Sequence, residues 1–471
     1  MESIPHHQAT LFPLKGLTSA WLATNGTSSS PQSLSRDPTT GMIPGYISEK
    51  SVITSLMIVQ CGLLHPKFEG SSSARLARLS LGPLIIGWWL PYPFRLPVLA
   101  LQDRNIFPGI MAAIMSFKSI EWTFASGPYH LRSLKSVDGV PVWEINSPGQ
   151  LSLEKSQSGW GDLILWSGLL FTSQRGLRWS WGPEAKGNTN SFAKSFMELL
   201  RLQLVFLASL AFVLYSEDWT NYSVDSRGAL LSLGVPSFRG LGLLAGALHS
   251  VCTMLALSCT FEIPHTIATL LSYLVYPMTR TIGLPPQLAE LVNPACFPPL
   301  FGSLFELSSL ADFWGKSWHQ KFRRHFLFCG GKPAKSLARV LGGSPKIQKA
   351  CGLLGVFAVS GFLHEYPLYA FQREPHPYPR ELFTTLPGSF LFFFIQPLGI
   401  LLEPFVIPYV PKKLGGAKLW TASFLLLTAP LFTRDACRPP GMFNQFRPLE
   451  EWTWLEILLP GPLVARTFYA K

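Results

Sequence analysis

Charge is scarce in this chain. Of 471 residues only 14% are Asp, Glu, Lys or Arg while 48% are hydrophobic, whereas a soluble domain carries about a quarter charged. Such a composition argues against a water-soluble protein. A mean hydropathy of +0.25, with 34 Phe and 15 Trp, fits a chain that meets lipid over most of its length. Paired cysteine motifs are missing as well. The seven cysteines (61, 252, 259, 296, 329, 351 and 437) are scattered, with no Cys-x-x-Cys and no Cys/His cluster. Neither a zinc site nor a disulfide framework is implied, no metal is expected, and the cysteines read as small core residues. No basic stretch precedes a short apolar core near the start, so a secretory signal pattern is lacking. The net charge of +12 raises nucleic acid as a partner. The basic residues, however, sit in short runs between apolar segments, which fits cytosolic membrane loops and makes nucleic acid an unexpected ligand.

Residues 1–48 are rich in Ser, Thr, Pro and Gly and read as a polar, loosely structured N-terminal arm. From residue 49 to 471 the chain reads as one multi-helix membrane domain, with no repeat period or linker dividing it. Apolar segments recur near 51–65, 80–101, 107–125, 160–172, 196–216, 229–260, 263–280, 294–310, 350–371, 384–409, 416–433 and 451–465. Only 196–216, 238–260, 350–371 and 384–409 clearly approach the roughly 20 residues of a full span. Others are interrupted, as in Pro91-Tyr92-Pro93-Phe94-Arg95-Leu96-Pro97. Forty prolines predict kinked or re-entrant helices around an internal chamber, because broken backbone at membrane depth needs protein or water to satisfy it. The expectation is an all-α polytopic membrane protein of eight to ten helices.

Segment 316–349 holds nine Lys and Arg and no Asp or Glu, the bias of a cytosolic loop. Segment 217–225 has Glu217, Asp218 and Asp225 together with the sequon Asn221-Tyr222-Ser223, which fits the luminal side. A second sequon, Asn25-Gly26-Thr27, lies in the arm.

Two histidines stand out. His364 lies near the middle of the apolar run 353–371, where a titrating group is costly and by default functional. Burial keeps an imidazole neutral, as a general base requires. The competing reading is a structural histidine bonded to a neighbouring helix. Gly355, Ala358, Ser360 and Gly361 leave room for close packing or a tunnel. Glu365 follows directly and points about 100° away. His319 sits where an apolar segment meets the basic run. On a helix starting near Phe313, His319 and Arg323 are four apart and share a face, with Phe322 one step away and Arg324 and His325 further round. A base and a guanidinium at the cytosolic edge suit a ligand with an anionic head and a reactive inner end, such as an acyl-CoA. The competing reading is a positive-inside anchor for lipid head groups. His249, His265 and Glu262 lie in or beside apolar segments and read as structural or cavity-lining.

The stretch Asn293–Ser303 leads into Ser308-Ser309-Leu310-Ala311-Asp312-Phe313-Trp314-Gly315-Lys316-Ser317-Trp318-His319-Gln320. This block resembles the wax synthase-like branch of the membrane-bound O-acyltransferase superfamily, as does Ser360-Gly361-Phe362-Leu363-His364-Glu365 downstream. Gln174-Arg175-Gly176-Leu177-Arg178-Trp179 is similar to a piece found upstream in fungal members. The resemblance is strongest over 293–375. It implies acyl transfer from acyl-CoA to a hydroxyl, with His364 at the catalytic histidine and His319 at the second active-site position, more commonly Asn. Many fungal members acetylate terpenoids or other natural products, and plant-type members make long-chain wax esters.

These readings converge on an endoplasmic reticulum O-acyltransferase using acetyl-CoA and a hydroxylated secondary metabolite. His364 and His319 are the catalytic residues, and Trp318, Lys321, Arg323 and Arg324 contact the donor. The expected mechanism is direct transfer; no covalent acyl-enzyme is needed, and no Cys or Ser sits in a nucleophile elbow. A wax ester synthase is the alternative among enzymes. A transporter with a His364–Glu365 proton relay is the alternative outside them, though the internal repeats common in transporters are not apparent.

Overall fold

The structure is a computed structural model describing residues 39–96, 106–138, 140–145, 159–183, 186–218, 220–221, 223–284, 286–302, 308–373, 387–438 and 442–443. The chain divides into two units, Met1–Val52 and Ile53–Lys471. Of the first, residues 39–52 are described and are helical. Most of the expected arm with its Asn25 sequon, the last apolar segment at 451–465, Pro97 and Tyr222 lie outside the described residues.

The second unit is mainly helical: α1 (Ser72–Trp89), α2 (Phe107–Phe124), α3 (Trp160–Thr172), α4 (Phe192–Tyr215), α5 (Leu241–Ile282), α6 (Lys332–Val340), α7 (Pro345–Phe371), α8 (Gly388–Val406) and α9 (Ala417–Ala436). Among the described residues, four helices are long and apolar enough to cross a membrane: Phe192–Tyr215, Leu241–Thr279, Pro345–Phe371 and Gly388–Tyr409. They coincide with the four clear spans read from the sequence. The expected count of eight to ten is not confirmed by this set. One boundary differs outright. The separate segments 229–260 and 263–280 belong largely to the single 42-residue α5, which keeps Pro264 and Pro277 inside it. Each proline removes one amide donor, yet packing of α5 along α4 carries the helix through both.

Two small antiparallel ribbons correct the all-α expectation. Strand β1 (Arg132–Val137) pairs with β2 (Val140–Ile145), and Glu217–Asp218 pairs with Ser223–Val224. Asp138 at the first turn has φ 51°, the left-handed backbone that Asp and Asn tolerate, within an Asp-Gly pair that favours tight hairpins.

Helix α7 is positioned by backbone contact. Ser344 caps it by accepting from the Ile347 amide, with Pro345 in the first turn. A Cβ added at Gly330 would lie 2.1 Å from the Gly355 carbonyl oxygen, so only glycine permits this approach. On its opposite flank α7 packs against α8.

Were α4, α5, α7 and α8 each to cross a membrane in turn, residues 316–349 and Lys412–Lys413 would fall on one side and 217–225 on the other. Single cysteines introduced in 316–349 should be labelled from the cytosolic face of sealed microsomes, and those in 217–225 only after permeabilisation. Labelling of both from one face would refute this topology.

Candidate active site

On α7, His364 Nδ1 lies 2.7 Å from the Ser360 carbonyl oxygen, one turn back. A ring nitrogen facing a carbonyl at that distance carries the proton, so the Nε2 lone pair is left as the base. The ring stacks on Phe393 at 4.0 Å and 24°, and Phe432 meets it edge-on at 5.9 Å. Glu365 is directed elsewhere, its Oε2 accepting from the Phe390 amide at the start of α8 at 3.1 Å.

His319 is reached differently. Phe313–Ser317 form a π-turn, a widened turn that frequently marks functional sites. Trp318 then leaves the helix with φ −73° and ψ 147°, and helix resumes only at Arg323. The expected shared helix face of His319 and Arg323 therefore does not exist. The π-turn ends the first helix before His319, so helical spacing does not apply across it. The rings of Phe261, Trp318, Phe322 and Phe301 enclose the His319 ring at 5.2, 5.5, 5.6 and 5.7 Å. Burial, followed by the nearby His364 and Lys321, pushes its pKa down to about 3. The ring is neutral at physiological pH, and its Nδ1 has no hydrogen-bond partner among the described residues.

Trp314 links the two histidines. Its ring lies 5.7 Å from Phe393, which stacks on His364, and 6.1 Å from Trp318, which touches His319. Its indole Nε1 donates to Gln396 Oε1 at 3.2 Å. Gln396 Nε2 in turn donates to the Phe392 carbonyl and to Thr428 Oγ1 at 2.9 and 3.1 Å. Sequence reasoning missed Phe393 and Gln396, although a lone amide in the run Phe392-Phe393-Phe394-Ile395-Gln396-Pro397 was a visible signal.

The basic residues separate into different roles. Arg323 is exposed. Arg324 pairs with Glu121 of α2 (Nε to Oε1, 2.9 Å), donates to the Tyr129 hydroxyl at 3.1 Å and lies over Trp181 at 5.1 Å. His325 is buried beside the same carboxylate. Lys321 places its ammonium over Phe261 at 5.1 Å.

Arg175 donates from Nη1 to the Pro298 carbonyl and from Nη2 to the Pro299 carbonyl, at 2.7 and 3.1 Å. His265 Nε2 lies 3.0 Å from the same Pro298 oxygen. The Arg-Gly-Leu-Arg-Trp piece thus clamps the Pro-rich segment more than a hundred residues away. Gly176 makes its turn at φ +69°, where a Cβ would strike the Trp181 ring. A cavity of about 1140 Å³ lies beside this segment, lined by α4, α5 and α9 with Phe301, Trp318 and Phe392. Its lining is mostly apolar (Leu202, Met254 and Leu255 among others) and includes Lys194, Glu198 and Arg201.

Residues 297–395 match the membrane bound O-acyl transferase family. This range contains the 311–320 block and both histidines, and bears out the resemblance drawn from them. An acetyltransferase of Arthrobotrys oligospora is 32% identical over 152 residues, 29% of this chain and 30% of that protein. An O-mevalon transferase of Aspergillus niger is 25% identical over 253 residues, 51% of this chain and 52% of that protein. An acetyltransferase of Rhodocybe pseudopiperita is 26% identical over 293 residues, 61% of this chain and 68% of that protein. The chain spans about half or less of the length of the first three relatives. No solved structure matches it.

Proposed function

We propose that this protein is an acyl-CoA-dependent membrane O-acyltransferase of the endoplasmic reticulum, moving acetyl from acetyl-CoA to a hydroxyl of a terpenoid or related secondary metabolite. The observation that carries the reading is the His364 hydrogen bond to Ser360, which reserves Nε2 as a base. In the proposed reaction Nε2 takes the acceptor hydroxyl proton as the oxygen attacks the thioester carbonyl. The tetrahedral intermediate collapses, the carbon–sulfur bond breaks, and the imidazolium returns the proton to the departing CoA thiolate. Neutral His319 has one N–H to offer the developing oxyanion, an interaction strengthened in a water-poor site. The apolar cavity suits a hydrophobic acceptor. Acetyl is favoured over long acyl chains because two of the relatives above are named acetyltransferases. Microsomes containing the protein should turn over acetyl-CoA and not palmitoyl-CoA; the reverse preference would make it a wax ester synthase.

Trp318, Lys321 and Arg323 are assigned to the donor, Arg323 as the exposed contact for its phosphates. Arg323→Gln should raise the KM for acyl-CoA about tenfold, the scale of one lost charge-assisted contact, and leave the KM for the alcohol nearly unchanged. An unaltered acyl-CoA KM would leave Arg323 as a topology signal alone.

A further inference from the structure

A second cavity, of about 340 Å³, adjoins the first, with His265 and Phe297 lining both. Arg175 and Lys321 line it together with Thr172, Ser173 and Gln174. Neither cation has a carboxylate within ion-pairing distance among the described residues, whereas Arg178 of the same loop is paired with Glu290 at 2.8 Å. Glu262 comes nearest in influence, but its Oε1 accepts from the Leu300 amide. Lys321 rests its ammonium on Phe261 and makes no hydrogen bond among the described residues. Arg175 is immobilised by two proline carbonyls, and its Nε is buried without a partner. Burial, with the neighbouring Arg175, also holds the Lys321 ammonium below its ordinary value.

Two cations without a direct ion pair among the described residues share one small cavity, repel each other and are poorly solvated, with Glu262 acting on both only from beyond ion-pairing distance. In a chain this sparing of charge, that arrangement calls for an anion from outside, and a clamped guanidinium is already ordered to receive it. The Phe261 ring under the Lys321 ammonium also lies 5.2 Å from the His319 ring, which connects this cavity to the candidate active site.

We propose that this cavity is an oxyanion site in which Arg175 and Lys321 seat phosphate oxygens of the acyl donor, a reading that rests on acyl-CoA being the co-substrate. Differential amine labelling of the full chain in detergent, read by mass spectrometry at Lys321, tests it. CoA and inorganic diphosphate should each slow Lys321 modification at least about fivefold. Pantetheine, which lacks the phosphates, should not, and exposed Lys194 should react equally throughout. Arg175→Gln should abolish the protection. Should that variant fail to fold, Lys321→Gln should instead weaken CoA binding about tenfold in equilibrium dialysis. An unchanged Lys321 rate in a protein that demonstrably binds CoA would overturn the site. Protection by acetate but not diphosphate would overturn the donor assignment in favour of a carboxylate ligand. A protein that binds no CoA at all would sink the acyl-CoA reading itself. Diphosphate protection of Lys321 would still decide the cavity, and its absence would remove it.

Discussion

His364→Ala should lower turnover by about 10²–10⁴-fold, the usual contribution of a positioned general base, in protein that inserts and folds normally. Folding should survive because, among the described residues, the ring's one hydrogen bond goes to the Ser360 carbonyl of its own helix. Truncation therefore orphans no group on a neighbouring element. The rate should be measured on purified enzyme at saturating acetyl-CoA, with wild-type thermal stability as the control. A well-folded His364→Ala variant with near-wild-type turnover would remove the central assignment. His364→Gln separates base from space-filler: it keeps polarity and bulk but cannot take a proton, and should be as slow as the alanine variant.

Arg324→Ala should act on a different property. The Glu121 side chain is only 3% exposed and faces the Arg324 guanidinium at 2.9 Å, with Tyr129 donating to the same carboxylate oxygen. Removing the arginine leaves a buried carboxylate without its cation, a change that costs about 3–5 kcal/mol. A loss of thermal stability on that scale is expected, whereas Arg323→Ala, at an exposed position, should fall within about 0.5 kcal/mol of wild type. The double change Glu121→Gln with Arg324→Met should recover most of the loss, since neither member of the pair then carries a charge. Should Arg324→Ala instead keep full stability and raise only the acyl-CoA KM, the guanidinium serves the donor and not the fold.

Much of the frame was readable in the residues. The four helices long enough to cross a membrane follow from apolar length, and His364 was singled out by the expense of an imidazole inside an apolar helix. The histidine block was readable too, but not its shape. A π-turn at Phe313–Ser317 depends on which tertiary contacts reward an extra residue in the turn, and helical spacing from Phe313 therefore misplaced Arg323 relative to His319. Reading Arg324 as a donor contact missed its ion pair for a similar reason. Its partner Glu121 is 203 residues away, and nothing local distinguishes a paired arginine from a free one. The gap read at Phe261-Glu262 misled in the opposite direction, as a boundary where helix–helix packing sustains continuity. The Asp138-Gly139 hairpin, by contrast, was legible and passed over in favour of a purely helical reading.

The contact of Gly330 with Gly355 has a further consequence for how such a protein can diversify. The helix bearing His364 is referenced to main-chain atoms on one flank, while the large cavity takes its walls from α4, α5 and α9 and receives no residue from α7. With that cavity as the proposed acceptor chamber, its coupling to the histidines runs through Phe301, Trp318 and Phe392, and most of its wall is free to vary without touching them. Mutational drift can reshape the chamber, one side chain at a time, without moving the base. New acceptors become accessible by enlarging or polarising the α4, α5 and α9 faces, while a single added methyl group at Gly330 or Gly355 would disturb transfer to all of them alike.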